Sequence, residues 1–460
     1  MFLYTRVASL VRSKKLEPDT YLACPIESIP VEILLLIFEE YCRAWSKTKT
    51  CSLPELLLTQ VCAYWRALAV QVPTLWTTLT ITSQTPSHVV VAYLQRSQQL
   101  SLDLEIDLRH DSVDIVKREQ ALAAWTAVKP SSARWRRLDV QINPHDASFV
   151  SEDLQQLGVP RLQELRISSA SHVSGITKVF EGGTPSLKSL RLSGMSVQHF
   201  GSSLRQLTHL HLTSNCPIHY SVFQPLMSRM TNLQELVLRS RVVEGWPLYP
   251  TPEDVINLPS LMVLKLSDRR WPLFIPLLSI SAPVLHTLSL YDLVAHDLPE
   301  ASTEYHLREN LPSVRKLILK GKSSYVDDVS FAQVARIFPA IDHLALLDVD
   351  AIFIRESSRI MHQTTIWPKL HTITMTPVVA EDILCSLISA RTVPTTKTPL
   401  KILVVPVPTR FKKIGWISQQ ISIEECDDND TLAFPSSDRA DSSTHPFHQR
   451  STSPASVLSV

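Results

Sequence analysis

His209 and His211 are the residues whose type and spacing most invite a chemical reading. They flank Leu210, and side chains two apart on an extended chain project to the same side. Two imidazoles so placed can ligate a metal, but a third ligand close in sequence is missing, so the pair reads as polar strand surface. The paired acids Asp327-Asp328 and Asp427-Asp428 fall in segments that read as loop and tail, where solvation accounts for them. The sequence has neither the GxSxG elbow of serine hydrolases nor the HExxH zinc helix. Glycine is scarce, with 9 residues in 460, and no GxGxxG or GxxxxGK[ST] phosphate loop occurs. Seven cysteines (Cys24, Cys42, Cys51, Cys62, Cys216, Cys385, Cys426) are scattered without a CxxC pair. They read as reduced thiols of a cytoplasmic or nuclear protein. Neither catalysis nor a cofactor or metal is expected.

Hydrophobic residues make up 44% of the chain, charged residues 19%, and the net charge is +1. No overall field points to nucleic acid or to a membrane surface. The most apolar stretch, Trp271 to Leu285, is short for a membrane span and is broken by Pro272, Pro276 and Pro283. Residues 1–23 carry Arg6, Arg12, Lys14 and Lys15 ahead of the first acid and read as a flexible terminus.

The element that must position any site is an internal repeat. From Pro160 a phrase recurs: often proline, an apolar residue, two variable residues, an apolar residue, a variable residue, an apolar residue. Its first apolar positions are Leu162, Leu187, Leu207, Leu233, Leu261, Leu285, Val314, Ile341 and Leu370. The steps are about 20–29 residues, the length of leucine-rich repeats. A degenerate copy (Trp135, Leu138, Val140) precedes the series, and Leu400, Leu403 and Val405 form a candidate last copy. The last two apolar residues of each phrase alternate with a variable one, so they share one face of a short strand. Stacked copies form a parallel sheet whose inner face is an apolar ladder that no single repeat could bury alone. Tyr220–Met230 and Val326–Phe338 have helical spacing and would form the convex side. The expected fold class is α/β: a leucine-rich-repeat solenoid of parallel strands with a helical or irregular convex side, preceded by a small all-α module. Such repeats usually follow the strand with Asn or Cys, yet here only Asn215 clearly does so.

Residues 24–76 are a different kind of text. Ile33, Leu36, Ile37 and Tyr41 share one helical face, and Leu34 and Phe38 form a second apolar stripe. Ser52-Leu-Pro-Glu55 has the form of a capping box opening a helix that runs to about Val70, before Pro73. Ile29-Pro30-x-Glu32-Ile33-x-x-x-Ile37-Phe38, then Val61-Cys62-x-x-Trp65-Arg66-x-Leu68-Ala69, then Pro73-x-Leu75-Trp76, resembles an F-box. Ile29 stands where that family has Leu. With Tyr93-Leu94-x-Arg96-Ser97 and the alternating Leu100, Leu102, Leu104, Ile106 and Leu108, the text is similar to expanded F-box families of fungi.

The resemblance implies a trihelical module that binds a Skp-family adaptor and, through it, a cullin–RING ubiquitin ligase. The implied function is that of a substrate-recognition adaptor in the ubiquitin-conjugation pathway; the alternative is a repeat scaffold with no ligase role. Expected adaptor contacts are Ile29, Pro30, Ile33, Ile37, Phe38, Val61 and Trp65. The target protein, which the sequence does not name, would meet the concave face, with Arg166, Arg191, His209, His211, Arg239 and Lys265 as contacts. That early half reads as basic and the later half as neutral, a pattern suited to acidic or phosphorylated targets. The expected organisation is a connecting or capping region at 77–134, the repeat domain at 135–405, and a disordered tail at 406–460, rich in Ser, Thr, Asp and Pro.

Overall fold

In the computed structural model the described residues are 29–46, 53–109, 115–143, 146–169, 179–213, 217–268, 273–291, 304–321, 328–349, 366–376, 401–404 and 422–425, with isolated positions between 355 and 389. The expected flexible terminus at 1–23 and most of the expected tail lie outside them.

The chain opens with three helices, α1 (Val31–Ser46), α2 (Pro54–Val61) and α3 (Ala63–Gln71), followed by a 3-10 turn at Pro73–Trp76. The carbonyl of Pro30 accepts the amides of Ile33 and Leu34 and so starts α1. The capping box does not form, because the cap residue of α2 is Leu53 and offers no side-chain bond. Nor is there one helix from here to Val70. The backbone extends at Cys62 (φ −156°), and α3 restarts there with the Cys62 Sγ accepting the Trp65 amide. Arg66 Nε donates to the Thr59 carbonyl across the break at 2.7 Å.

Next comes a single 14-stranded sheet in which all neighbours are parallel and follow sequence order. Its strands are β1 (Thr78–Ile81), β2 (Leu102–Asp107), β3 (Trp135–Ile142), β4 (Glu164–Ser169), β5 (Ser189–Ser193), β6 (His209–Thr213) and β7 (Glu235–Arg239). They continue as β8 (Val263–Ser267), β9 (Thr287–Tyr291), β10 (Lys316–Lys320), β11 (His343–Leu347), β12 (Thr372–Thr376), β13 (Lys401–Val404) and β14 (Ser422–Glu425). The sheet therefore reaches beyond the repeat phrase at both ends. β1 and β2 occupy the stretch read as a connector, and β14 lies inside the stretch read as disordered tail.

Register is uniform. Leu165, Leu190, Leu210, Leu236, Leu264, Leu288, Leu317 and Leu344 are successive partners, and Ile167, Leu192, Leu212, Leu238, Leu266, Leu290, Leu319 and Leu346 form the second row. The candidate last copy slips by one residue: Ile402 and Val404 join the two rows, and Leu403 sits in the row between them. A slip of one exchanges the faces of a strand, and at β13 the alternation Ile-Leu-Val leaves either choice apolar.

The recurrent proline has a specific place in the turn that leads into the strand. In Val159-Pro160-Arg161-Leu162 the Leu162 amide donates to the Val159 carbonyl at 3.2 Å, and the same bond recurs at Leu187→Thr184, Leu261→Leu258, Leu285→Ala282 and Leu370→Trp367. Proline thus occupies the second position of a β-turn, where its fixed φ is already correct. The other end of the strand is solved without the asparagine ladder. Gly194, Ser240, Gly321 and Asp348, each directly after a strand, all have positive φ. The first three donate their amides to the next strand's last carbonyl, at Thr213, Ser267 and Leu347. Asn215 lies outside the described residues.

Helices α4 (Ser87–Arg96), α5 (Ile115–Val128), α6 (Ala147–Gln156), α7 (Tyr220–Met227), α8 (Phe274–Leu278), α9 (Glu304–Asn310) and α10 (Asp328–Ile337) lie between strands. α5 buries Ala121, Ala124, Trp125 and Val128, a spacing that keeps one face on the sheet. Among the described residues no helix is long and apolar enough to cross a membrane.

Leu264 is fully buried mid-ladder, whereas Met262, two residues earlier, is half-exposed. We expect Leu264→Ala to cost about 2–5 kcal/mol and Met262→Ala to change stability by less than about 0.5 kcal/mol. Denaturant titration of both variants checks the pair, and equal losses would contradict the ladder.

Candidate functional site

Two surfaces are built from the residues singled out in the sequence. The first lies on α1 and α2. Of the two apolar stripes on α1, the one with Leu34 and Phe38 faces the interior. The other stays outside, with Ile33, Leu36 and Ile37 roughly half-exposed. α2, packed against α1, adds the exposed Leu57 and Val61.

Among the expected adaptor contacts, Pro30, Ile33, Ile37 and Val61 are exposed, and Ile29 is partly buried against the core. Phe38 is a correction. It is completely buried, and its ring centroid is 4.7 Å from that of Trp65, so it holds α1 to α3 and cannot meet a partner. Trp65 is part of the same brace and only partly accessible. Leu36 and Leu57 were missed. The helical period that groups Leu36 with Ile33 and Ile37 could have found the first.

These helices are joined to the sheet and are not a detachable unit. Leu34, Phe38, Leu58, Leu68, Leu75 and Trp76 belong to the same buried cluster as the ladder leucines. The Tyr93-Leu94-x-Arg96-Ser97 segment forms the joint. Tyr93 Oη donates to Glu55 Oε2 at 2.8 Å, and the Arg96 guanidinium stacks 4.3 Å from the Trp76 ring centroid. Ser97 Oγ accepts from Arg134 Nη2 at 2.6 Å. Burial pushes the Glu55 carboxyl above the usual range, although Tyr93 and Cys42 both bond to it. Burial, with Glu55 beside it, pushes the Cys42 thiol up to about 12, which keeps it protonated and unreactive.

The second surface is the outward face of the sheet. Asp139, Arg166, Arg191, His211, Val237 and Lys265 are successive partners across β3–β8. His209 stands two positions before His211, level with Ser189 and Glu235, and Arg239 lies level with Thr213 and Ser267. His209 is partly buried and bonds Thr208 through Nδ1 at 2.8 Å. Among the described residues no group of three or more His, Cys, Asp or Glu could hold a metal ion.

The basic half-face expected from the sequence is instead mostly neutralised. Arg166 Nη1 is 3.5 Å from Asp139 Oδ2, Arg137 Nε is 3.6 Å from Glu164 Oε2, and Lys265 Nζ is 3.0 Å from Glu235 Oε1. These carboxylates escaped the sequence reading because they come from strands and rows that only the register brings together. His211 is 7% exposed, its Nε2 is 3.5 Å from Glu235 Oε1, at the outer limit of a hydrogen bond, and Nδ1 has no acceptor. Burial lowers the His211 imidazole below its ordinary value, so it is neutral at pH 7.

The later half is not open. Ser289, Ile318, Ala345 and Thr374 are at most 1% exposed, and Ile318, Ala345 and Leu347 form a small buried cluster of their own. Alternation places these residues opposite the ladder, but they are not a free surface.

No family model matches the chain, and no curated protein is significantly similar to it.

Glu235 generates a pH prediction. Burial alone would raise its carboxyl, but bonds from His211 and Lys265 and the Lys265 charge outweigh that and hold it at about 2. A depressed carboxyl stabilises the fold above its unfolded value and loses that contribution as pH falls toward the folded value. Stability should therefore decline from about pH 4.5 toward pH 2, and Glu235→Gln should flatten that limb. Urea midpoints measured from pH 7 to pH 2.5 test this, and an unchanged slope in the variant would refute it.

Proposed function

We propose that this chain is a substrate-recognition adaptor of the Skp–cullin–F-box type, in which the N-terminal helices dock on a Skp-family adaptor and the repeat sheet receives a target protein. The reading rests on one observation above all. Ile33, Leu36, Ile37, Leu57 and Val61 remain exposed on two packed helices, while the stripes beside them are buried. Single exposed aliphatic residues are ordinary on a surface; several on one small pair of helices mark an interaction site. Three of them, Ile33, Ile37 and Val61, also fall at specified positions of the F-box-like phrases of the sequence. In this role the chain catalyses nothing. It holds a target near a ubiquitin carrier and raises the local concentration of the reacting groups.

A scaffold without a ligase role is the second reading. It is favoured by the continuity of the core from Phe38 and Trp76 into the sheet, as expected of a helical cap on a repeat array. A cap and a docking module are compatible, because capping uses the buried stripe of α1 and docking the exposed one.

Purified full-length chain should capture a Skp-family adaptor. Ile33→Asp with Ile37→Asp should abolish capture, with about tenfold or greater loss of affinity, since each buries an unpaired charge in an apolar interface. Both positions are exposed, so the melting temperature should hardly move. Phe38→Ala is the contrasting variant, expected to destabilise by about 3–5 kcal/mol. Capture that survives the double aspartate variant, or never occurs with folded protein, would leave the scaffold reading.

A further inference from the structure

Arg191 is the cation that the outward face leaves over. Its neighbours on the basic half-face are matched: Arg166 has Asp139, Arg137 has Glu164, and Lys265 has Glu235. Among the described residues no carboxylate lies within ion-pair distance of the Arg191 guanidinium. It is partly buried, in register with Arg166 on one side and His211 on the other. Adjacent strands stand about 4.8 Å apart, so two guanidinium-bearing side chains rise from neighbouring positions; Asp139 lies on the far side of Arg166, and the charges of Glu164 and Glu235 reach Arg191 from beyond ion-pair distance. Neutral His211 supplies no countercharge, and its unpartnered ring Nδ1, on a residue more than nine-tenths buried, lies on the other flank. Ser189 and Ser193 border Arg191 along its own strand and carry hydroxyls.

A partly buried cation without a partner costs stability. Burial lowers the Arg191 guanidinium from its ordinary range, the Arg166 and Arg137 charges lower it further, and the more distant Glu235 and Glu164 charges offset this only in part. Fixed donors that are unsatisfied in the free protein are matched when a ligand brings the missing charge. The planar guanidinium fork suits two-oxygen anions, meeting a carboxylate or a phosphoryl group through two parallel bonds.

We propose that Arg191, with Arg166 beside it, is the recognition point for one anionic side chain, a carboxylate or phosphoryl group, on an extended segment of the target polypeptide. This rests on the reading of the sheet as the target-facing surface. It narrows that surface from a general basic face to one unmatched position.

The test uses the full-length chain, immobilised, and three peptide libraries of equal length, degenerate except for a fixed central serine, glutamate or phosphoserine. The phosphoserine library, the glutamate library or both should be retained roughly tenfold or more over the serine library, the scale of a charge-assisted pair. Retention of phosphoserine alone assigns a phosphoryl ligand; retention of both shows that a carboxylate suffices. Arg191→Gln should abolish the preference, whereas Arg229→Gln, at an exposed position after α7 and outside the strands of the sheet, should keep it. The melting temperature of Arg191→Gln should equal or exceed that of the parent, as removal of an unmatched charge requires. Equal retention of all three libraries would overturn the proposal. So would a preference that persists in Arg191→Gln, equal loss in Arg229→Gln, or a lowered melting temperature in Arg191→Gln. Adaptor capture is not measured in this experiment, so either reading can fail without the other.

Discussion

Everything in this protein depends on parallel registration of strands too short to stand alone. A strand of five residues buries two leucines on its inner face and pairs its backbone only if another strand lies on each side. The β-turns that enter many of the strands, and the positive-φ residues after β5, β7, β10 and β11, set where pairing starts and stops. A shift of one residue would carry every leucine to the opposite side, so ladder and turns support a single alignment. The same constraint places the outward side chains in rows, and those rows create the ion pairs.

Much of the architecture was legible because it is periodic. Leu190 and Leu192, or Leu264 and Leu266, could be assigned to one face from alternation alone. What escaped was whatever periodicity does not encode. The proline belongs to a turn, which shows only when the Leu162 amide meets the Val159 carbonyl. β1 and β2 lie outside the repeat phrase, so their strands looked like a connector. At Cys62 the chain breaks with no Gly or Pro to announce it, because a two-helix corner is stabilised from elsewhere, by Arg66 and by the packing of Trp65 on Phe38.

The candidate surfaces were legible to different degrees. Helical spacing found both stripes of α1, but choosing the buried one required knowing what packs beside it; hence Phe38 lies inside and Ile33 outside. On the sheet, the rows of outward side chains were legible while their electrostatics were not. Arg166 and Lys265 are separated in sequence from Asp139 and Glu235 by whole repeats, so a reading along the chain sees bases and misses their partners. Tyr93 is the counterpart case. Its hydroxyl and the Glu55 carboxylate are distant in sequence, and together they turn a short helix into an anchor for the corner formed by α2 and α3.

The sheet also narrows at its extremities. Among the described strands, β1, β13 and β14 have four residues each, against eight in β3. An open β margin is a template on which another molecule can polymerise, and nature blunts it by shortening and by charge. Among the described strands, a stack of similar units that could in principle grow without limit is thus shortened at both edges.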